Sequence, residues 1–493
     1  IVYYIDPGTP KKWRKYLKQG IEDWQVAFEA AGFKNAIIAK DPPSKDEDPD
    51  WSPEDVRYSV VRYLASPSLN ANGPHTSDPR SGEIIESDIN WYHNVMKLLR
   101  NWLFVQTAAV NPDARKTEFK NEVMGELIRF ISSHEVGHTL GLPHNFGSSS
   151  AYPVDSLRSA TFTKKYGTAP SIMDYARFNY VAQPGDEGVA LIPSDWETPN
   201  VGVYDIYSIM WGYKPILDTG AFDEKKVLNQ WITERADDLM FRFGSSSIDP
   251  SSQTEDLGND AIKASNYGIA NLKRIVPNLI EWTTEDGENY DELQYLYGQV
   301  LSQFRRYLGH VSTNVGGVYQ YYKTSDQEGA VYTHVEKSHQ KNCIKFLNKN
   351  LFETPTWMID KNILDKIQFA GAVDQVRGLQ SSYLNRILDF GRLARVIENE
   401  ALNGSEAYSL DELMSDLKNG IFSELKTNSN IDIYRRNIQR AFIQRLGYLM
   451  KENQNIPSFF RSSSSITRVK VDESDIRSST LGVLIDLRNE LNK

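Results

Sequence analysis

The chain has 493 residues, with 55 Lys and Arg against 65 Asp and Glu, a formal net charge of −10, eight histidines and one cysteine. That length predicts two to four domains of about 100–200 residues each, and 40% hydrophobic with 11% aromatic residues excludes a disordered chain. The acidic balance excludes a general nucleic-acid or anionic-membrane binder, while the lone Cys343 excludes a disulfide scaffold or a cysteine-rich metal site; a transition metal here must be held by histidines and carboxylates.

Residues 1–6 read as a short apolar strand closed by Pro7-Gly8. The chain opens on Ile1 rather than Met, as a strand entered mid-protein does, so an N-terminal segment is expected before it. Residues 10–31 predict a helix, since Trp13, Leu17, Ile21, Trp24 and Phe28 recur every three or four positions and Gly32 stands at the expected cap. Residues 36–40 and 57–65 read as strands, with 41–53, rich in Pro, Asp and Lys, as a surface loop. The turn Asp78-Pro79-Arg80-Ser81-Gly82 leads into 83–90, whose alternation predicts a short edge strand. A second long helix is predicted over 118–140, where Phe119, Val123, Leu127, Ile131 and His134 share a face.

Beyond Tyr213-Lys214-Pro215 the character changes. Residues 222–243, 260–282, 291–308, 334–351, 379–400, 409–425 and 431–452 show helical periodicity, interrupted by a predicted hairpin of 317–322 with 330–334. There is no fixed-period repeat, and no apolar run reaches the roughly 18–20 residues that span a membrane. The chain thus divides into 1–215, mixed α/β, and 216–493, mostly helical.

Three of the eight histidines lie within 134–144, the run HEVGHTLGLPH. On a helix His134 and His138 share a face, and Glu135 stands about 100° round it, able to reach a water without ligating the metal. A continuous helix carries His144 away; Gly141 can take a left-handed conformation and turn the chain back, bringing His144 in as a third ligand. Three neutral imidazoles and one open position describe a single catalytic Zn²⁺.

This HExxHxxGxxH run resembles the signature of the metzincin metalloproteases, and Ser171-Ile172-Met173-Asp174-Tyr175 resembles the methionine turn of the astacin and serralysin branches. The resemblance implies an α/β metzincin-like (zincin) catalytic domain over 1–215, with a twisted mixed sheet and long helices, followed by a mostly α-helical C-terminal domain over 216–493. It implies Met173 as the hydrophobic floor under the histidines, and Tyr175 as a fifth ligand or a hydrogen-bond donor to the tetrahedral intermediate. Residues 78–84 resemble the segment leading into the metzincin edge strand, so Ile84, Ile85, Glu86 and Ser87 are expected to offer backbone groups to a peptide. The implied reaction is endopeptidase hydrolysis, with Glu135 as general base toward a metal-activated water. The implied partner is a protein or peptide substrate, without nucleic acid and without a transmembrane segment. Metzincins are usually exported, which points to periplasm, outer-membrane surface or secretion. Asn145 follows the third histidine where metzincin branches often carry an acid or a serine. With the large helical C-terminal region, it resembles exported zinc metalloproteases of Bacteroidetes-type bacteria.

The other histidines, His75, His93, His310, His334 and His339, read as structural or surface residues, and Cys343 as a small buried hydrophobe. The acidic run 249–260 offers oxygen ligands for Ca²⁺ but lacks the EF-hand spacing, so a solvated loop is the first reading. Two other functional readings fit the chain. One is a surface-binding or adhesion protein with a vestigial zinc site; the other is a narrow, glycoprotein-directed processing protease whose cleft is shaped by insertions such as 147–170.

Overall fold

A computed structural model of the chain describes residues 1–192, 200–217, 220–458 and 466–492. Two units emerge from the packing: one of residues 1–245, 251–283 and 324–327, the other of 246–250, 284–323 and 328–493.

The first unit is built on strands β1 (Val2–Ile5), β2 (Ile38–Lys40), β3 (Ser59–Leu64), β4 (Ala71–Asn72), β5 (Thr76–Ser77), β6 (Ile84–Glu86) and β7 (Ile89–Tyr92). Five of them form a mixed sheet in the order β2-β1-β3-β7-β4. Its inner ladders are parallel, with Tyr3 opposite Ser59 and Val61 opposite Ile89, and only β4 runs antiparallel, Ala71 facing Trp91. Tyr3, Ile5, Val60, Val61, Ile89 and Trp91 are buried, as β-branched and aromatic residues of a covered sheet should be.

The expected single edge strand over 83–90 is two strands in two sheets: β6 pairs with β5, and β7 lies inside the main sheet. Ser87 and Asp88 cause the break. The Asp88 carboxylate accepts the Val60 N–H at 2.8 Å, and the buried Ser87 hydroxyl turns away to donate to the Thr139 carbonyl at 3.1 Å. Residues 84–86 thus lie outside the main sheet, whose two edges are β2 and β4.

Helices α1 (Lys11–Glu22) and α2 (Gln25–Ala30) occupy the predicted 10–31 span, followed by α3 (Val95–Thr107) and α4 (Asn121–Thr139). The break between α1 and α2 falls at Asp23-Trp24, whose side chains are committed to α4. Asp23 accepts a forked pair of bonds from Arg129 at 2.6 and 3.0 Å and one from the Ser133 hydroxyl, while Trp24 Nε1 donates to the Ser133 carbonyl at 2.8 Å. Helices α1 and α4 approach closely because Gly20 lies against Ser132 and Gly125 lies under the Tyr16 ring.

The unit continues with α5 (Ala160–Tyr166), α6 (Val203–Tyr213), α7 (Ala221–Thr233), α8 (Ala261–Ile275) and α9 (Leu279–Thr283). Pro277, which has no N–H to give, separates α8 from α9 within the predicted 260–282 helix. The packing divides the chain elsewhere than at 215/216. Asn271 on α8 donates to the Tyr180 and Ala182 carbonyls at 3.0 and 2.9 Å, and Arg274 to Gln183 at 2.8 Å, which binds this stretch to the first unit.

The second unit is helical: α10 (Asp291–Thr313), α11 (Lys337–Leu347), α12 (Lys361–Ile367), α13 (Ala372–Ile387), α14 (Phe390–Asn403), α15 (Leu410–Ile421), α16 (Glu424–Thr427), α17 (Ile433–Lys451) and α18 (Ile476–Leu491). The predicted hairpin is present as β8 (Val318–Gln320) against β9 (Tyr332–His334), with Val318 opposite His334. The predicted 379–400 helix is two, because Asp389 caps a new N-terminus at α14 by accepting from the Gly391 and Arg392 N–H groups. Among the described residues no helix is long and apolar enough to cross a membrane.

Candidate functional site

The site grows from the C-terminal half of α4. His134 and His138 lie one turn apart on it, and their rings are 4.8 Å apart. After Thr139 the helix closes with Gly141 in the left-handed region at φ 89°; the Leu142 N–H returns to the Gly137 carbonyl and the Gly141 N–H to that of His138. That turn brings His144 back, its Nε2 3.1 Å from His138 Nε2. Potential ligand atoms of the three histidines lie within 4.8 Å of one another, and they form the one such cluster of His, Cys, Asp or Glu among the described residues.

The tautomers are fixed by carbonyls, which can only accept. His134 Nδ1 donates to the Ile172 carbonyl at 2.7 Å and His138 Nδ1 to the Leu142 carbonyl at 2.8 Å, leaving both Nε2 lone pairs toward the cluster. His134 Nε2 is buried with no hydrogen-bond partner, an orphan that ligation would satisfy. Burial keeps all three imidazoles below the usual histidine range, His144 down to about 4, with His138 and Arg177 adding to the effect at His144. Three neutral nitrogen donors fit zinc in a catalytic coordination.

Met173 lies beneath. Gly137, between two of the histidines, has no side chain, and a Cβ there would collide with Met173 Sδ and stand 2.9 Å from Trp24. The methionine turn is fastened from both sides. The Asn145 N–H donates to the Met173 carbonyl at 3.1 Å, and the buried Asp205 accepts from the Ser171 hydroxyl at 2.6 Å and the Ile172 N–H at 2.7 Å. Tyr175 projects beside the cluster, its ring 4.5 Å from that of His144 and 5.2 Å from that of His134.

Glu135 is buried on α4, and burial raises its carboxyl to about 7 against the opposing pull of the Arg177 charge and a Gly73 N–H that donates to it. Gly73 follows β4 directly, and any side chain at 73 would strike the Glu135 carbonyl. The sheet edge is thus pinned to the helix turn that carries the carboxylate.

The sequence-predicted residues His134, Glu135, His138, His144, Met173 and Tyr175 come together. Ile84, Ile85 and Glu86 form β6, which pairs on one side with β5 and stands beside the end of α4: Ile84 Cδ1 is 3.9 Å from where a side chain on Gly141 would begin, and Ser87 is tied to Thr139. Carboxylates of the acidic run 249–260 have partners within the protein. Asp249 accepts the Gln320 N–H, Glu255 pairs with Arg177, and Asp260 caps α8.

Several further residues shape the site. His75 donates from Nδ1 to the His138 carbonyl at 3.0 Å, so one exposed histidine helps tie down the end of α4. Asn145, in place of the usual acid or serine, donates from Nδ2 to the Arg242 carbonyl and accepts from the Gly244 N–H, both at 2.9 Å. Gly73, Arg177 and Asp205 carry no local sequence signal, because each acts on a segment remote in the chain.

A family model described as Met-zincin matches residues 116–429, more than half of the chain, and spans all three histidines and the methionine turn. The chain belongs to the Met-zincin family. This Met-zincin is accordingly a metzincin-type zinc metalloprotease, with His134, His138 and His144 as its possible metal site. No curated protein and no solved structure matches it.

Proposed function

We propose that this Met-zincin is a zinc-dependent endopeptidase with Glu135 as its general base. The observation that carries the reading is the orphaned, buried His134 Nε2 at the centre of the histidine cluster, with Glu135 on the same helix and Tyr175 alongside. His134, His138 and His144 would hold the metal. Zinc bound there supplies Lewis acidity at the scissile carbonyl and makes a water acidic enough to ionise near neutral pH.

The protein's own groups do the rest. Glu135 takes the proton of the attacking water and delivers it to the departing amine nitrogen, so the peptide C–N bond breaks with no net proton change. Gly73 packs against the backbone of that residue. Tyr175 donates its phenolic hydrogen to the oxygen on which negative charge develops. Met173 gives the site a floor that does not compete for metal.

We place the peptide antiparallel along the edge at β4, supported by its position next to Gly73 and Glu135. Residues Ile84, Ile85, Glu86 and Ser87 form a wall at the end of α4 in this reading. All these residues lie in the first unit.

A library of peptides blocked at both termini tests the reading. Internal cleavage by the zinc-loaded protein is expected, with product termini defined by mass spectrometry. An intact blocked library, with the same peptides cleaved once their termini are freed, would refute the endopeptidase assignment.

A further inference from the structure

Resting on the metalloprotease reading above, we propose that Arg177 is a positioning residue: clamped between Trp102 and Tyr175 by Glu255, it fixes the Tyr175 phenol beside the three histidines. The guanidinium carbon lies 3.5 Å from the Trp102 ring centroid and 4.1 Å from that of Tyr175, so a flat cation fills a slot between two aromatic faces. Arg177 Nε is 3.7 Å from Glu255 Oε1, and both residues are buried, at 7% and 2% exposure. The Tyr175 ring also meets those of His144 and His134. The tyrosine ring is therefore in contact with both the guanidinium and the imidazoles.

The backbone carries the same message. Four non-glycine residues among those described have positive φ; two are asparagines, which tolerate it, and the other two are Arg177 at 59° and Glu255 at 63°. Both members of one buried ion pair thus hold a conformation that neither side chain favours. An ion pair serving stability alone has no need of that strain, which is retained where a geometry must be met. Glu255 also donates its N–H to the Tyr175 carbonyl at 2.9 Å, so it holds the tyrosine backbone and the cation stacked on the tyrosine ring. Gln106 on α3 closes the network, donating to Glu255 at 3.2 Å and accepting the Phe178 N–H at 3.1 Å. The planar guanidinium is specific to this slot, because a lysine ammonium cannot lie flat between two rings while reaching the carboxylate.

A double-mutant cycle tests the proposal, with kcat, KM and zinc content measured for Arg177→Lys, Tyr175→Phe and the double variant. Arg177→Lys is expected to lower kcat by roughly 10²-fold, as a misplaced catalytic group does, with zinc content unchanged and KM nearly so. In the Tyr175→Phe background, where no hydroxyl is left to position, the same change is expected to cost less than about threefold, since coupled residues are not additive. Equal losses in both backgrounds, or loss of zinc from Arg177→Lys, would overturn the proposal. If Arg177→Lys does not fold, Glu255→Gln replaces it in the cycle; it is expected to show the same dependence on the Tyr175 hydroxyl, and its absence overturns the proposal. Wild-type protein that hydrolyses no peptide refutes the metalloprotease reading and this one together, whereas an active wild type with additive losses refutes only the role of Arg177.

Discussion

Position 137 shows how little latitude the site allows a single residue. Met173 Sδ and Trp24 occupy the volume that any side chain there would need, between two of the three histidines. Gly137→Ala is expected to cost about 1–3 kcal/mol by overpacking, seen as a lower denaturation midpoint. It is also expected to weaken zinc binding, because relief of the clash must move α4 or the methionine turn. A variant as stable as wild type, with full zinc affinity, would show that the floor is not tightly packed. The histidines, Glu135 and Gly141 were legible in the sequence because their chemistry is written in spacing along one helix and its cap. Arg177, Asp205 and Gly73 were not legible, because burial and partner identity are properties of tertiary contact. A buried arginine two residues after a tyrosine reads like any surface arginine.

Among the elements, α4 and α6 are joined through the methionine turn. Asp205, in the first turn of α6, accepts from Ser171, from the Ile172 N–H and from the Gly202 N–H at 2.7 Å, while the Ile172 carbonyl accepts from His134. Burial outweighs these donors and raises the Asp205 carboxyl from its ordinary 3.8 to about 7. The folded chain therefore keeps a proton that the unfolded chain releases above about pH 4. Its stabilising contribution is full below that point and is lost as pH rises through about 7. In zinc-free protein, the melting temperature of wild type relative to Asp205→Asn is expected to fall between pH 4 and 7. A difference that stays constant or grows over that window would contradict the assignment. Long amphipathic helices such as α10, α15 and α17 were visible from periodicity, since one face of each is buried. Helix α3 was not, because Asn101, Gln106 and Thr107 are buried along with its apolar residues and blur the pattern. The strand expected over 83–90 is broken at Ser87 and Asp88, where side chains replace the ladder with bonds to Thr139 and Val60.

Taken whole, the molecule places its metal site in the first unit, while the Met-zincin match runs on to residue 429 within the second. The change of character after 215 falls just past α6, whereas the packing of the first unit continues to residue 245 and through 251–283. Residues 260–282 are helical in pattern and yet pack as part of the first unit, which periodicity alone does not reveal. The central claim is that three histidines hold one zinc at which Glu135 drives peptide hydrolysis. Titrating zinc into metal-stripped protein while following cleavage of a blocked peptide tests it most directly. Wild-type activity is expected to rise linearly to a break at one zinc per chain, while Glu135→Gln takes up the same single zinc at a rate lower by roughly 10²- to 10⁴-fold. Activity independent of zinc, or a Glu135→Gln protein that cleaves as fast as wild type, would contradict the claim.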